Sequence, residues 1–165
     1  ETTTFCLIPM VAEAVNIPLI AAGGIATGRQ VLAAQVLGAD AVQIGSRFVA
    51  SEESSAHQKF KERVVQAAEG DTVLTLKELA PVRLIKNSFF EDVQKAYANK
   101  ATPEELKTLL GRARAKKGMF EGDMEEGELE IGQVSGLIHH ITPAAEIVAE
   151  LMSEFKQAKA EMCQN

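Results

Sequence analysis

Two short apolar runs that each break into glycine limit most strongly what this chain can become. Pro18-Leu-Ile-Ala-Ala22 opens into Gly23-Gly24, and Ala41-Val-Gln-Ile44 opens into Gly45-Ser46, with 21 residues from Gly24 to Gly45. Continuous apolar runs of this length read as strands covered on both faces, as in a parallel sheet. Between them, Thr27 has Gln30 three residues on, a capping-box signature. A helix then runs through Val31, Leu32, Ala34 and Val36 to Gly38. Upstream, Leu7, Ile8, Val11, Ala12 and Val15 form a helical stripe, with Pro9 placed in its first turn. Residues 7–50 therefore alternate helix and strand, the order that builds a parallel α/β sheet.

After Phe48 the pattern predicts helices only. Phe60, Val64, Val65 and Ala68 give one helix that stops at Gly70. Thr75 and Glu78 make a second capping box, and Pro81 interrupts a helix continuing through Val82, Ile85, Phe89 and Val93. Thr102-Pro103-Glu104-Glu105 starts a third helix, residues 118–130 read as a loop, and Thr142-Pro143 begins the last helix. The face of that last helix is Ile147, Leu151, Phe155, Ala158 and Met162.

Two strands cannot close a barrel, and a TIM (β/α)₈ barrel typically needs about 250 residues. The expectation is an α/β chain holding the C-terminal part of such a barrel, its last two strands, followed by a helical segment. Residues 1–50 would be the last βα units, 51–141 a helical insertion, and 142–165 a C-terminal helix packing on the barrel. Glu1-Thr-Thr-Thr in place of an initiator Met fits a chain cut upstream, whose missing N-terminal barrel half is its natural partner.

Composition narrows the partners. The net charge is −6 and no long basic tract exists, which argues against nucleic acid. No apolar run approaches the roughly 18 residues of a membrane span, and no signal-peptide pattern stands at the start. Cys6 and Cys163 lie near opposite ends without metal-ligand spacing, so reduced thiols, no metal and a cytoplasmic setting are expected.

The chemistry sits in the two glycine turns. Glycine lets the backbone come close to a ligand and aim N–H groups at it, and the start of the following helix attracts an anion. Turns one strand–helix–strand repeat apart are neighbours on a barrel rim, and the loops after strands 7 and 8 are the usual phosphate site there. The Ser46 hydroxyl adds a donor. Tight βα turns without a ligand are the alternative, and an isomerase or synthase barrel gripping a phosphorylated metabolite is another.

Ile17-Pro-Leu-Ile-Ala-Ala-Gly-Gly-Ile-Ala-Thr-Gly28 and Leu37-Gly-Ala-Asp-Ala-Val-Gln-Ile-Gly-Ser-Arg-Phe48 resemble the nitronate monooxygenase family, once called 2-nitropropane dioxygenases. The family includes the FMN-dependent enoyl-acyl-carrier-protein (enoyl-ACP) reductase II. The likeness continues through Val82-Arg-Leu-Ile-Lys-Asn87 and Glu130-Ile-Gly-Gln-Val-Ser-Gly-Leu-Ile138. It implies an FMN flavoprotein oxidoreductase whose phosphate is held at Gly23, Gly24, Gly45 and Ser46, with Gln43 as a neighbour. Gly132 and Gln133 match a segment near the flavin ring or substrate. Many relatives carry Thr in place of Ser46, and either hydroxyl serves. The family's catalytic His, in a Gly-Gly-His segment, has no counterpart among His57, His139 and His140, which places the catalytic base outside this chain. The implied reaction is oxidation of an alkyl nitronate with O₂, or else reduction of an acyl-thioester with NAD(P)H as co-substrate. A homodimer stays open.

Other residues receive plainer readings. His139 and His140 would diverge by about 100° if helical, which is wrong for joint metal binding. Arg83 and Asn87, one helical turn apart, suit structural hydrogen bonds better than a cleft. Arg112, Arg114, Lys116 and Lys117 read as a solvated helix face, and the acidic run from Glu121 to Glu130 as solvated loop.

Overall fold

The computed structural model describes residues 2–163. They form two compact units, one from residues 2–53 and 142–163 and the other from 54–141.

The first unit contains α1 (Thr4–Ala14), β1 (Ile20–Ala22), α2 (Gly28–Val36), β2 (Ala41–Gln43), α3 (Ser46–Val49) and the long α7 (Ala144–Met162). β1 and β2 pair in parallel, with Ile20 opposite Ala41, Ala21 opposite Val42 and Ala22 opposite Gln43. Because side chains alternate along a strand, Ala21 and Val42 face the helices and join Ile8, Ile25, Ala34 and Ala39 in one core. Ile20, Ala22, Ala41 and Gln43 are exposed. The expectation of strands covered on both faces therefore holds for one face only. Within this unit the helices pack on that side.

Thr27 and Gln30 form the expected capping box at the start of α2. Gly38 follows α2 with φ +107°, and a Cβ there would fall 2.8 Å from that of Ala12, so the turn needs glycine twice over. Pro9 is displaced from expectation. The helix begins at Thr4, with the amides of Cys6 and Leu7 donating to the Thr3 carbonyl, so Pro9 lies in the interior rather than the first turn. α7 lays Ile147, Leu151 and Ala158 into the unit, while Met162 at the end of the expected stripe is exposed. At Gly28 it touches α2 so closely that a Cβ would stand 2.3 Å from the Phe155 amide nitrogen.

The second unit departs from an all-helical segment. It contains α4 (Gln58–Val65), β3 (Thr72–Thr75), β4 (Val82–Ile85), α5 (Ser88–Ala98), α6 (Pro103–Leu110), a π-helical turn (Lys116–Phe120) and a 3₁₀ turn (Gln133–Leu137). β3 and β4 form an antiparallel hairpin, Thr72 opposite Ile85 and Thr75 opposite Val82. The sequence expectation of a helix from Thr75 through Val82 fails for identifiable reasons. Leu76 adopts φ +53°, which cannot begin a helix. The Glu78 carboxylate accepts from the Tyr97 hydroxyl at 2.6 Å rather than from Thr75. Pro81 disfavours helical backbone at Ala80, and the β-branched and aliphatic runs on either side suit strands. The helical pattern resumes only at α5, where Asn87 is the N-cap. α4 also ends early, at Val65, before Ala68 and Gly70. Leu76, Leu84, Phe89, Val93 and Leu106 make the core between hairpin and helices.

In the basic stretch Arg112, Lys116 and Lys117 are exposed, as expected, and Arg114 is the exception. Gly111, at φ +67°, ends α6, and Ala113 follows at φ +59°. The Arg114 guanidinium lies 4.4 Å from the centre of the Phe89 ring and donates to the carbonyls of Leu109, Leu110 and Glu126. Lys116 and Lys117 pair with Glu121 and Asp123 at 3.1 and 3.0 Å. The acidic run is not wholly solvated. Asp123 accepts the amides of Glu125 and Glu126. Glu128 is buried, which together with the Glu130 carboxylate pushes its carboxyl up to about 7.

Candidate functional site

The parallel register decides where the glycine turns go. Ala22 and Gln43 are partners at the last rung, so the chain leaves β1 and β2 at the same C-terminal edge and both turns stand there. Gly23 and Gly24 have φ +88° and +76°, left-handed values that a side chain resists. Gly45 is different. At φ −100° and ψ −67° it lies where any residue is comfortable, and a Cβ on it would meet no atom of the chain within 4 Å. The chain's own folding does not demand glycine at 45.

Around this edge, Gln43 is exposed on the same face as Ala22, and Ser46 opens α3. α3 is a single turn, so Ser46 stands at this edge without a long helix dipole behind it. The Thr4 hydroxyl donates to the Gly23 carbonyl at 3.4 Å, tying the start of α1 to the first turn.

The start of α2, expected to attract an anion, is already satisfied from within. Gln30 Oε1 accepts the amides of Ala26 and Thr27 at 2.8 and 3.1 Å. Thr27 Oγ1 accepts the amide of Gln30, and Glu154 Oε2 accepts that of Gly28 at 2.6 Å. A carboxylate already sits where the helix would have held an anion.

The first unit thus gathers Gly23, Gly24, Gln43, Gly45 and Ser46. Gly132 and Gln133 belong to the second unit, where Gly132 is extended (φ −71°, ψ 156°) and Gln133 begins the 3₁₀ turn with its side chain exposed. Arg83 and Asn87 do structural work there, on a strand and a cap rather than on one helix. Arg83 Nη1 donates to the Thr72 carbonyl at 3.0 Å, while Asn87 caps α5 and donates to the carbonyls of Met124 and Gly127. His139 and His140 are exposed, as are the free thiols of Cys6 and Cys163. Among the described residues no group of three or more His, Cys, Asp and Glu could hold a metal, and no helix is long and apolar enough to cross a membrane.

Sequence reasoning missed Arg47, Glu150 and Glu154. Arg47 is buried and its Nη2 donates to Glu150 Oε2 at 2.9 Å. Sequence separations of 103 and 126 residues left no local signal for these bonds.

Comparison with known proteins places the chain in a family. The nitronate monooxygenase family model matches residues 1–154. A probable nitronate monooxygenase of Staphylococcus saprophyticus is 35% identical over 84% of this chain and 39% of its own length. FabK from Thermotoga maritima is 41% identical with a TM-score of 0.92, over 99% of this chain and 52% of its own. Nitroalkane oxidase from Streptomyces ansochromogenes is 32% identical with a TM-score of 0.76, over 96% of this chain and 45% of its own. The chain spans about half the length of these relatives or less, and its two parallel strands are part of the barrel fold they share.

Proposed function

The chain belongs to the nitronate monooxygenase family, and on that premise we propose that it carries the phosphate-binding end of an FMN site in an oxidoreductase of alkyl nitronates. The family is one of flavin-dependent oxidoreductases. Gly23, Gly24, Gly45 and Ser46 would hold the phosphate through backbone amides and the Ser46 hydroxyl, with Gln43 bordering it. The flavin supplies the redox chemistry when bound, taking electrons from the nitronate and passing them to O₂. This chain's residues bind and orient it, and the proposed catalytic base lies in a part of the barrel outside these 165 residues, in a cytoplasmic protein. The observation that carries the reading is Gly45, whose backbone tolerates any residue and whose missing Cβ leaves room beside a second glycine turn.

Gly45→Asp in the full-length protein tests it. A charge about 4 Å from the phosphate repels it by roughly 1 kcal/mol in water and about 4 kcal/mol at a protein-like dielectric. Lost amide contacts add about 1.5–3 kcal/mol each. Retention of FMN should fall about a thousandfold or more, measured by equilibrium dialysis. Parent-like retention would place the phosphate elsewhere.

A second reading is enoyl-ACP reductase II, with NAD(P)H as reductant and an enoyl thioester as substrate. The close fold match with the Thermotoga protein favours keeping it. Anaerobic bleaching separates the two, since a nitronate reduces the monooxygenase and NADH or NADPH reduces the reductase, whose colour an enoyl thioester then restores.

A further inference from the structure

We propose that Glu150 and Glu154, one turn apart on α7, are positioning residues that hold the two glycine turns at the spacing one flavin phosphate requires. The inference rests on the phosphate reading above.

Glu154 accepts the amide of Gly28, the first residue of the helix that follows Gly23-Gly24. Glu150 accepts from Arg47, which directly follows Ser46. A single turn of α7 therefore reaches the chain beyond both glycine turns. The strands that lead into those turns, β1 and β2, pair over three residues. Residues four apart on a helix share a face, so the two carboxylates act from one side.

The bond at Gly28 sits in an unusually close packing of helices. A Cβ at residue 28 would stand 2.3 Å from the Phe155 amide nitrogen and 2.4 Å from the Leu151 carbonyl oxygen, so α2 and α7 meet backbone to backbone. At the other contact the Arg47 side chain is 10% exposed and that of Glu150 57%. The bond thus anchors a buried guanidinium to a carboxylate on α7. A phosphate bound by amides from two turns is sensitive to their separation, since binding groups must be held within about 0.5 Å of the productive geometry. Neither carboxylate touches the flavin in this scheme. Each acts through the element it holds.

Equilibrium dialysis of the full-length protein against FMN and against riboflavin, which lacks the phosphate, reads this directly. Glu150→Ala and Glu154→Ala should each weaken FMN about tenfold, equivalent to about 1.4 kcal/mol. Riboflavin affinity should barely change, so the preference for FMN falls. Glu150→Gln and Glu154→Gln keep an acceptor oxygen and should stay within about threefold of the parent. Glu161→Gln, on α7 like the other two, disturbs the outer pair with Arg29 of α2 and should leave both affinities unchanged. If the alanine variants do not fold, Glu154→Asp, which keeps the charge and shortens the reach, carries the same comparison. Equal weakening of FMN and riboflavin, parent-like FMN affinity in the alanine variants, or an equal loss in Glu161→Gln would each overturn the proposal. A parent that does not prefer FMN to riboflavin would instead remove the phosphate reading beneath it.

Discussion

The two units bury their apolar residues in different ways. In the 54–141 unit, Phe60, Val64, Leu76, Leu84, Ile85, Phe89, Val93, Leu106, Leu129 and Ile138 are all essentially inaccessible to water. In the βα unit Ile147 is the large side chain buried to that degree, while Phe5, Met10, Ile17, Ile20 and Val36 stand exposed. The hairpin unit closes its core with an antiparallel pair covered by its own helices. The βα unit has a parallel pair with one face covered, and parallel strands are stable when both faces are buried. A self-sufficient unit can be altered internally with local consequences. An open one depends on what it packs against, and the glycine turns belong to it.

The largest effect should come from Phe89→Ala, which empties the centre of the hairpin core and removes the ring under Arg114. A loss of about 3–5 kcal/mol is expected. Hydrogen exchange of the full-length protein should show it in residues 72–110, with residues 20–43 still protected and FMN still bound. Loss of protection spread equally over both stretches would break the contrast.

Gly28→Ala should come next, at about 1–3 kcal/mol, because the new methyl meets the backbone of α7 and helix backbones do not yield easily. This change lies in the open unit, so flavin retention should weaken together with stability. A variant that melts lower yet binds FMN like the parent would show that the βα unit tolerates movement of α7.

The smallest effect concerns pH. Glu128, with an ordinary value of 4.5, is raised to about 7 first by burial and then by Glu130. A raised carboxyl favours the protonated folded state, so its contribution is complete below about 4.5 and is lost as pH rises toward 7. Glu128→Gln keeps the shape without the charge. Urea titrations should show the variant matching the parent at pH 4.5 and exceeding it at pH 8. An unchanged difference across that range would mean that Glu128 stays ionised in the folded protein.

The difference between the units also explains what was legible beforehand. The βα unit follows strong local rules. Thr27–Gln30 capping, glycine after apolar runs and the 21-residue interval each express backbone chemistry within a few residues, and the barrel-type parallel pair followed from them. In the 54–141 unit, spacing alone suggested a helix through Thr75 and Val82, because short apolar runs fit either period. The hairpin won because pairing across Thr72–Ile85 satisfies the backbone of both runs at once, which no local count reveals.

By itself the sequence determined the parallel βα pair, the two glycine turns and their common edge, because register and turn chemistry act over short distances. Tertiary structure alone decided that Glu154 would take the amide at the start of α2, that Glu150 would take Arg47, and that Arg114 would lie on Phe89. Those bonds join residues far apart in the chain, and their partners are set by how helices pack rather than by any spacing along the sequence.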